Sequence, residues 1–310
     1  MMLEFPYATI SASEITADVY LPDTENAFYR GTRFDRSGII GSLRYRGHEY
    51  FGQWKESHDP LFHDCITGPA EEFEAADTPD RDFQYAAEGT PFLRLGVGLL
   101  RKIGEGDFRR FYTYPVVNDS GWQTSIANNG ISFEHTAASP TGLSYQYRKT
   151  LRLDSQAPVL WLEHTLINTG RMPIVTRHYN HNFFRIDGVP PGPSLCVKTP
   201  FPLSLKNPAQ GPLEIVGRRV SLSRELNPGE SILVEAMQQN GRYEFDICQQ
   251  ATSAGVRISA DRPLVRLVLW ASSRVLCPEP YIDIHVQPGK CFSWNLSYTF
   301  YANQISPCIG

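Results

Sequence analysis

Apolar and polar residues alternate along several stretches of the chain, most regularly over residues 292–300. In that stretch Phe, Trp, Leu, Tyr and Phe residues alternate with Ser, Asn, Ser and Thr residues. Successive side chains of a strand point to opposite faces of its sheet, so a period of two predicts a half-buried β-strand here.

The same alternation, followed by a turn, predicts a pair of strands in the middle of the chain. Apolar positions alternate between residues 145 and 153, and residues 154–158 (Asp-Ser-Gln-Ala-Pro) have the composition of a turn. Residues 159–167 then predict the partner strand, which ends before the Asn-Thr-Gly turn at 168–170.

No stretch keeps apolar residues at helical spacing, and glycine and proline divide the chain into short segments. The 24 Gly and 23 Pro residues are spread throughout, and short strands separated by turns are typical of sandwiches and barrels. We therefore predict an all-β fold with large antiparallel sheets. Because no stretch resembles a linker, residues 1–310 are predicted to form a single domain, with a flexible surface loop at 74–90.

Composition and charge restrict the class of protein. Hydrophobic residues make up 41% of the 310 residues and charged residues 20%, which is typical of a globular protein. The formal net charge of −4 leaves no basic excess for binding nucleic acid, and no apolar run is long enough to span a bilayer.

The N-terminus and the cysteines favour an intracellular protein. Residues 1–6 lack the charged and apolar regions of a secretory signal. The six Cys residues are scattered and form no CxxC pair, which favours free thiols over a disulfide framework. We expect a cytoplasmic protein that binds neither nucleic acid nor a membrane, and its oligomeric state stays open.

Two short polar motifs carry the candidate chemistry. Residues 180–184 read NHNFF at the end of a strand-like run, and residues 277–280 read CPEP beside other strands. An unperturbed imidazole such as that of His181 has a pKa of about 6.5, and an unperturbed carboxyl such as that of Glu279 has one of about 4.3. A group that donates a proton and a group that accepts one are what the opening and closing of a sugar ring requires.

These motifs resemble two segments of the aldose 1-epimerases, the galactose mutarotase family. NHNFF, followed by Asp-Gly at 187–188, is similar to the family's NHSYFNLAG segment. Glu279-Pro-Tyr, followed by Pro-Gly at 288–289 and Ser-Tyr-Thr-Phe at 297–300, is similar to the family's C-terminal EPW…PG…Y.F region.

The resemblance implies a β-supersandwich and an enzyme that interconverts the α and β anomers of a small carbohydrate. It implies that His181 is the general acid on the ring oxygen and that Glu279 is the general base on the C1 hydroxyl. We expect the two groups to face each other across a gap as wide as a pyranose. Such proton transfer needs no metal and no organic cofactor.

The segments that contact the sugar in the family differ in this chain. Where the family carries a basic GRYANRI segment, residues 68–73 read GPAEEF, and residues 98–102 offer cations in place of the family's second histidine. The identity of the sugar is therefore open. The candidates for holding its hydroxyls or a charge are five residues: Arg33, Glu71, Glu72, Lys102 and Asn180.

A segment rich in His and Asp precedes this region. Residues 58–64 read HDPLFHD, and imidazole and carboxylate groups are ligands that zinc or manganese can take. The spacing fits no standard metal motif. We therefore expect polar contacts to a sugar from this segment, and no bound metal.

Two other functions remain open at the level of sequence. One is a non-catalytic sugar-binding protein that keeps the cleft without the chemistry. The other is a different epimerase or a lyase that acts on a modified or acidic sugar, since a fold alone does not fix a function. The acidic pair Glu71 and Glu72 and the basic pair Arg101 and Lys102 are compatible with such a substrate.

Overall fold

In the computed structural model nearly all of the described regular secondary structure is β-strand. In its described residues only one α-helix is present, α1 (Arg81–Tyr85), and a short 3-10 turn covers Ile186–Gly188. None of the described helical residues forms a segment long and apolar enough to cross a membrane. The described residues are 4–75, 81–118, 121–207, 211–236 and 241–303.

Most strands follow one another closely, and longer connections cover residues 21–38 and 50–68. In chain order they are β1 (Tyr7–Ala12), β2 (Ile15–Tyr20), β3 (Ile39–Tyr45), β4 (His48–Glu49), β5 (Pro69–Glu74), β6 (Pro91–Arg94), β7 (Gly98–Arg101), β8 (Val116–Asn118), β9 (Gln123–Ala127), β10 (Gly130–Ala138), β11 (Ser144–Leu153), β12 (Val159–Asn168), β13 (Ile174–Asn182), β14 (Leu195–Lys198), β15 (Leu213–Val216), β16 (Arg219–Leu222), β17 (Ser231–Ala236), β18 (Glu244–Gln249), β19 (Ala254–Ala260), β20 (Arg266–Ser272), β21 (Leu276–Val286) and β22 (Cys291–Ala302).

These strands form four antiparallel sheets, two of which build the body of the molecule. The larger has the order β15-β16-β14-β18-β19-β22-β12-β11-β10-β9, and the second has the order β17-β20-β21-β13-β5. A four-stranded sheet, β1-β2-β3-β4, and a three-stranded sheet, β6-β7-β8, complete the described structure. The prediction of an all-β fold with large antiparallel sheets is confirmed.

The strands predicted from the period-two pattern are present. Residues 292–300 lie within β22, and β11 and β12 are neighbours in which Leu151 lies opposite Leu162. The buried positions of β12 alternate with half-buried ones throughout its length, because one face of the strand packs on the core and the other faces outwards.

The two large sheets pack face to face. Leu160 and Leu162 of β12 belong to the same buried cluster as Ile282 and Ile284 of β21. One face of the five-stranded sheet is therefore buried against the ten-stranded sheet, and its other face is free to form a cleft.

Two minor predictions need correction. Part of the expected loop at 74–90 is the helix α1, while residues 76–80 lie outside the described residues. Cys196 is disulfide-bonded, so the prediction of free thiols throughout is wrong at that position. Cys196 lies opposite Cys248 on the neighbouring strand, and the free cysteines of the described structure include Cys65, Cys277 and Cys291.

Candidate active site

His181 and Glu279 lie side by side on the outer face of the five-stranded sheet. Tyr179 of β13 is paired with Tyr281 of the antiparallel strand β21. Two residues after Tyr179 and two residues before Tyr281, the same face of the sheet carries His181 and Glu279. The Nε2 atom of His181 lies 3.3 Å from the Oε1 atom of Glu279. The expectation of a gap as wide as a pyranose is therefore wrong, because the two positions are neighbours on adjacent strands.

Both side chains line a cleft of about 660 Å³ over this outer face. They are deeply set in its floor, with only 6% of His181 and 5% of Glu279 exposed. A cleft of several hundred Å³ with a few convergent polar groups is the usual form of a small-molecule site.

Aromatic rings surround the imidazole of His181. The ring of Phe183 stacks on it at 4.2 Å between centroids, and Trp270 lies edge-on at 5.5 Å. Trp54 in turn lies 5.3 Å from Trp270. The two indoles line the cleft, where a flat apolar surface of this kind can pack against the C–H face of a sugar.

Burial shifts the protonation of the two groups in opposite directions. It raises the pKa of Glu279 to about 8, in spite of the nearby Arg33 and Arg110. It also lowers the pKa of His181 well below the ordinary value, and the charge of Arg33 adds to this effect. Because burial disfavours the charged form of each group, the pair holds a single proton at neutral pH.

A buried carboxylate holds three arginines beneath the cleft. Glu72 of β5 accepts hydrogen bonds from Arg33 Nε, Arg94 Nη2 and Arg110 Nε, each at 2.9 Å. The hydroxyl of Tyr179 also donates to Glu72, at 2.5 Å. Burial acts to raise the pKa of the Glu72 carboxyl, but the arginine charges outweigh it and hold that pKa well below its usual range.

Asp64 and His63 line the cleft beside this network. Arg33 Nη1 donates to Asp64, and Nδ1 of His63 lies 2.8 Å from Asp64 Oδ1. Burial acts to raise the pKa of Asp64, but His63 and Arg33 together lower it below the ordinary value. The segment at 58–64 thus places an imidazole and a carboxylate in the cleft, as expected from its composition.

Of the five residues predicted to hold the substrate, Arg33 lines the cleft and Glu72 lies behind it. Glu71 and Asn180 are on the other face of the sheet, where Asn180 Nδ2 donates to Glu71 Oε1 at 2.8 Å. The reason is strand geometry: Glu71 precedes Glu72, and Asn180 precedes His181, so each points away from its neighbour. The prediction that Glu71 and Asn180 contact substrate therefore needs correction.

Lys102 also lies away from the cleft. Its Nζ atom donates to the backbone oxygens of Phe83 and Ala86, at 3.0 and 2.9 Å. These carbonyls belong to the C-terminal part of α1 and the residues after it, where a cation satisfies acceptors that the helix leaves free. Lys102 therefore has a structural role here, and its assignment as a substrate contact needs correction.

Glu71 belongs to a buried group between the two large sheets. Ligand atoms of Glu71, His164 and His178 lie within 4.8 Å of one another, close enough to hold a metal ion. The ammonium group of Lys149 also contacts the Glu71 carboxylate. A cation of the protein itself therefore already balances this buried carboxylate, and we interpret the group as an ion-paired network of the core.

Several residues that line the cleft were not predicted from the sequence. Arg110 and Phe111 come from a loop, and Trp270 comes from β20, whose alternate residues Arg266 and Val268 share its face. The basic and aromatic run around Arg110 and the alternation in β20 were the available signals. Neither of these two sequence patterns shows which distant strand lies next to the segment that carries it.

The comparisons with known proteins concern the fold. No protein-family model and no curated protein matches the chain. A galactose mutarotase related enzyme from Lactobacillus acidophilus is 12% identical, covers 97% of this chain and 99% of its own, and has a TM-score of 0.60. A galactose mutarotase-like protein from Clostridium acetobutylicum is 13% identical over 95% and 94% of the two chains, with a TM-score of 0.56.

A third structure, an aldose epimerase homologue from C. elegans, is 12% identical over 96% and 99% of the two chains, with a TM-score of 0.52. The similarity thus extends over nearly the full length in each case. At these identities it shows the fold, which is that of the galactose mutarotase-like structures, as the resemblance implied.

Proposed function

We propose that this protein is an aldose 1-epimerase-like enzyme, which interconverts the α and β anomers of a sugar by opening and closing its ring. His181 acts as general acid on the ring oxygen, and Glu279 acts as general base on the C1 hydroxyl. The observation that carries the proposal is the contact between these two side chains in the floor of the cleft, at 3.3 Å.

The short separation suits the reaction because both reacting oxygens are bonded to the same carbon. The ring oxygen and the C1 hydroxyl of an aldose are attached to C1, so two catalytic groups on one side of the sugar reach both of them only if they are themselves adjacent. A neighbouring acid and base meet this requirement better than two groups on opposite walls.

The proton balance closes with the single proton of the pair. In ring opening, the C1 hydroxyl proton goes to Glu279, the C1–O bond to the ring oxygen breaks, and the ring oxygen takes a proton from His181. The open chain rotates about C1–C2, and the reverse transfers close the ring on the other face. Each positioned group contributes roughly 10²–10⁴-fold.

The proton must lie on the imidazole before the ring opens, because Glu279 can accept the C1 hydroxyl proton only as a carboxylate. In the free protein it resides on Glu279 with His181 neutral, the form that burial favours. The 3.3 Å contact lets it pass to the imidazole without a change of net charge. A fixed pair of this kind therefore serves both directions of the reaction.

Anomer exchange measured by proton NMR with purified protein tests the proposal. A panel of neutral, acidic and phosphorylated aldoses is followed with and without protein. Acceleration of at least one sugar above its rate in buffer supports the function. If the folded protein accelerates none of them, the enzymatic proposal fails and a sugar-binding role takes its place.

A further inference from the structure

One end of the cleft carries two cations that do not belong to the arginine network around Glu72. Lys55 and Arg274 both line the cleft. The Nζ atom of Lys55 lies 3.9 Å from the centroid of the Trp54 ring and 5.0 Å from that of Phe62. Its charge is met by these aromatic faces, and no carboxylate of the described chain forms an ion pair with it.

Arg274 is held against the same segment. Its Nε atom donates to the backbone oxygen of Gln53 at 3.5 Å, and Nη1 pairs with Glu56 at 3.2 Å. The Glu56 side chain is 87% exposed, and an ion pair with so exposed a partner neutralises little charge. Arg274 thus remains available for an anion that enters the cleft.

A third cation, Arg185, packs against the segment that precedes Trp54. Its side chain packs directly on Gly52, where an added Cβ would lie 2.9 Å from the Cβ of Arg185. Its Nε atom is buried, with no hydrogen-bond partner in the described structure. Burial lowers the pKa of Arg185, and the charge of Arg274 lowers it further.

Among the described carboxylates that line the cleft, the exposed Glu56 contacts Arg274, and the others are paired elsewhere or protonated. Asp64 pairs with Arg33, and Glu230 pairs with Arg224 at 2.9 Å through both of its oxygens. Glu279 is largely protonated at neutral pH, since its pKa is raised to about 8 by burial. Like charges brought together with only one exposed carboxylate beside them cost free energy, which an anionic ligand would recover.

The cationic end is connected to the acid–base pair by the two tryptophans. The rings of His181 and Trp270 are 5.5 Å apart, those of Trp270 and Trp54 are 5.3 Å apart, and Lys55 lies over Trp54. A sugar packed on the two indoles with its C1 at His181 would point its far end towards Lys55 and Arg274.

We infer that Lys55 and Arg274, supported by Arg185, form a subsite for an anionic group on the substrate, so that the enzyme acts on aldoses that carry a phosphate or carboxylate away from C1. This inference rests on the proposed function, because it orients the sugar by the His181–Glu279 pair. It narrows the substrate from aldoses in general to charged ones.

The test compares three sugars that differ in charge at one end: D-glucose, D-glucose 6-phosphate and D-glucuronate. The readout is kcat/KM for anomer exchange by NMR, expressed as the ratio of each charged sugar to glucose. We expect the ratio to exceed tenfold for at least one charged sugar, which identifies the anionic group, and to fall as salt rises.

Variants then locate the effect. Arg274→Gln and Lys55→Gln should each lower the ratio about tenfold, since a hydrogen bond to a charged group is worth roughly a factor of ten or more. Arg148→Gln is the matched control, because Arg148 is an exposed arginine of β11 that pairs with Glu134 of β10 and is not among the residues that line the cleft. Thermal unfolding of each variant verifies that it is folded.

The outcomes separate the subsite from the proposed function. If glucose is the better substrate of the wild-type protein, or if the ratio is the same in both variants as in the control, the subsite is overturned while the mutarotase function stands. If no sugar is accelerated, calorimetric titration with glucose 6-phosphate, glucuronate and inorganic phosphate decides. Salt-sensitive binding of a charged sugar that Arg274→Gln weakens supports the subsite, whereas binding of inorganic phosphate alone, or no binding, overturns it.

Discussion

Asn180 and His181 are consecutive residues whose side chains lie on opposite faces of one sheet. The Asn180 amide donates to Glu71 in the space between the two large sheets, at 2.8 Å. The His181 imidazole lies 3.3 Å from Glu279 on the outer face, in the cleft. The strand thus separates groups that hold the molecule together from the groups of the proposed active site.

This separation predicts different losses for two adjacent substitutions. Asn180→Ala removes a donor from a buried carboxylate and should lower the free energy of unfolding by about 1–3 kcal/mol, with a smaller effect on turnover. His181→Asn should lower the rate of anomer exchange roughly 10²–10⁴-fold and leave the unfolding midpoint nearly unchanged. Denaturant unfolding and NMR exchange on both variants measure the two effects, and a folded Asn180→Ala protein as inactive as His181→Asn would contradict this division.

The pH profile of kcat/KM should report the single proton of the pair. Burial raises the pKa of Glu279 to about 8 and lowers that of His181 well below 6.5, so the one-proton form exists from well below pH 6.5 up to about 8. Activity should stay level between pH 6.5 and 7.5 and fall above about 8, where the acid is lost. With ordinary pKa values the fall would begin near 6.5, and a profile of that shape would refute the shifted pair.

Glu279 should also make stability depend on pH. Its pKa in the folded protein, about 8, exceeds the ordinary 4.5, so folding favours the protonated carboxyl and the wild-type protein loses stability as pH rises between these values. Glu279→Gln keeps the shape without the charge. The variant should match the wild type near pH 4 and gain an advantage in melting temperature that grows up to about pH 8. An advantage that does not change with pH would argue against a buried, protonatable carboxyl.

Removal of the carboxylate beneath the cleft should be costly. Glu72→Gln leaves Arg33, Arg94 and Arg110 without their shared counter-charge in a buried position, and we expect a loss of about 3–5 kcal/mol in the free energy of unfolding. The matched control is Glu134→Gln, which breaks the exposed pair with Arg148 and should cost less than about 1 kcal/mol. Urea unfolding of both variants measures the difference, and equal losses would show that Glu72 does not anchor the arginines.

The fold was accessible from local patterns because period-two alternation depends only on which face of a strand is buried. Residues 292–300 and the pair β11 and β12 were predicted in this way and are present. The same rule, applied within the motifs, would have separated Asn180 from His181 and Glu71 from Glu72. When all residues of a motif are assigned to one site, the alternation of their side chains between the two faces of the sheet is overlooked.

Other parts of the site depend on which distant segments meet in space. Trp54, Lys55 and Arg110 lie outside the described strands, and Arg274 lies in the turn between β20 and β21. No local pattern indicates that these four residues share a cleft with β13. The sequence likewise gave no sign that Lys102 reaches the carbonyls after α1, because that contact joins residues 16 and 19 positions apart.

The two prolines beside Glu279 have a consequence for how the site can change. Pro278 and Pro280 lie in β21 between two neighbouring strands, yet they have no amide hydrogen to contribute to either ladder. The backbone next to the carboxylate is therefore tied less tightly to its neighbours than the rest of the sheet. Replacement of either proline by alanine offers an engineer a way to shift the carboxylate by small amounts while the intersheet packing is retained.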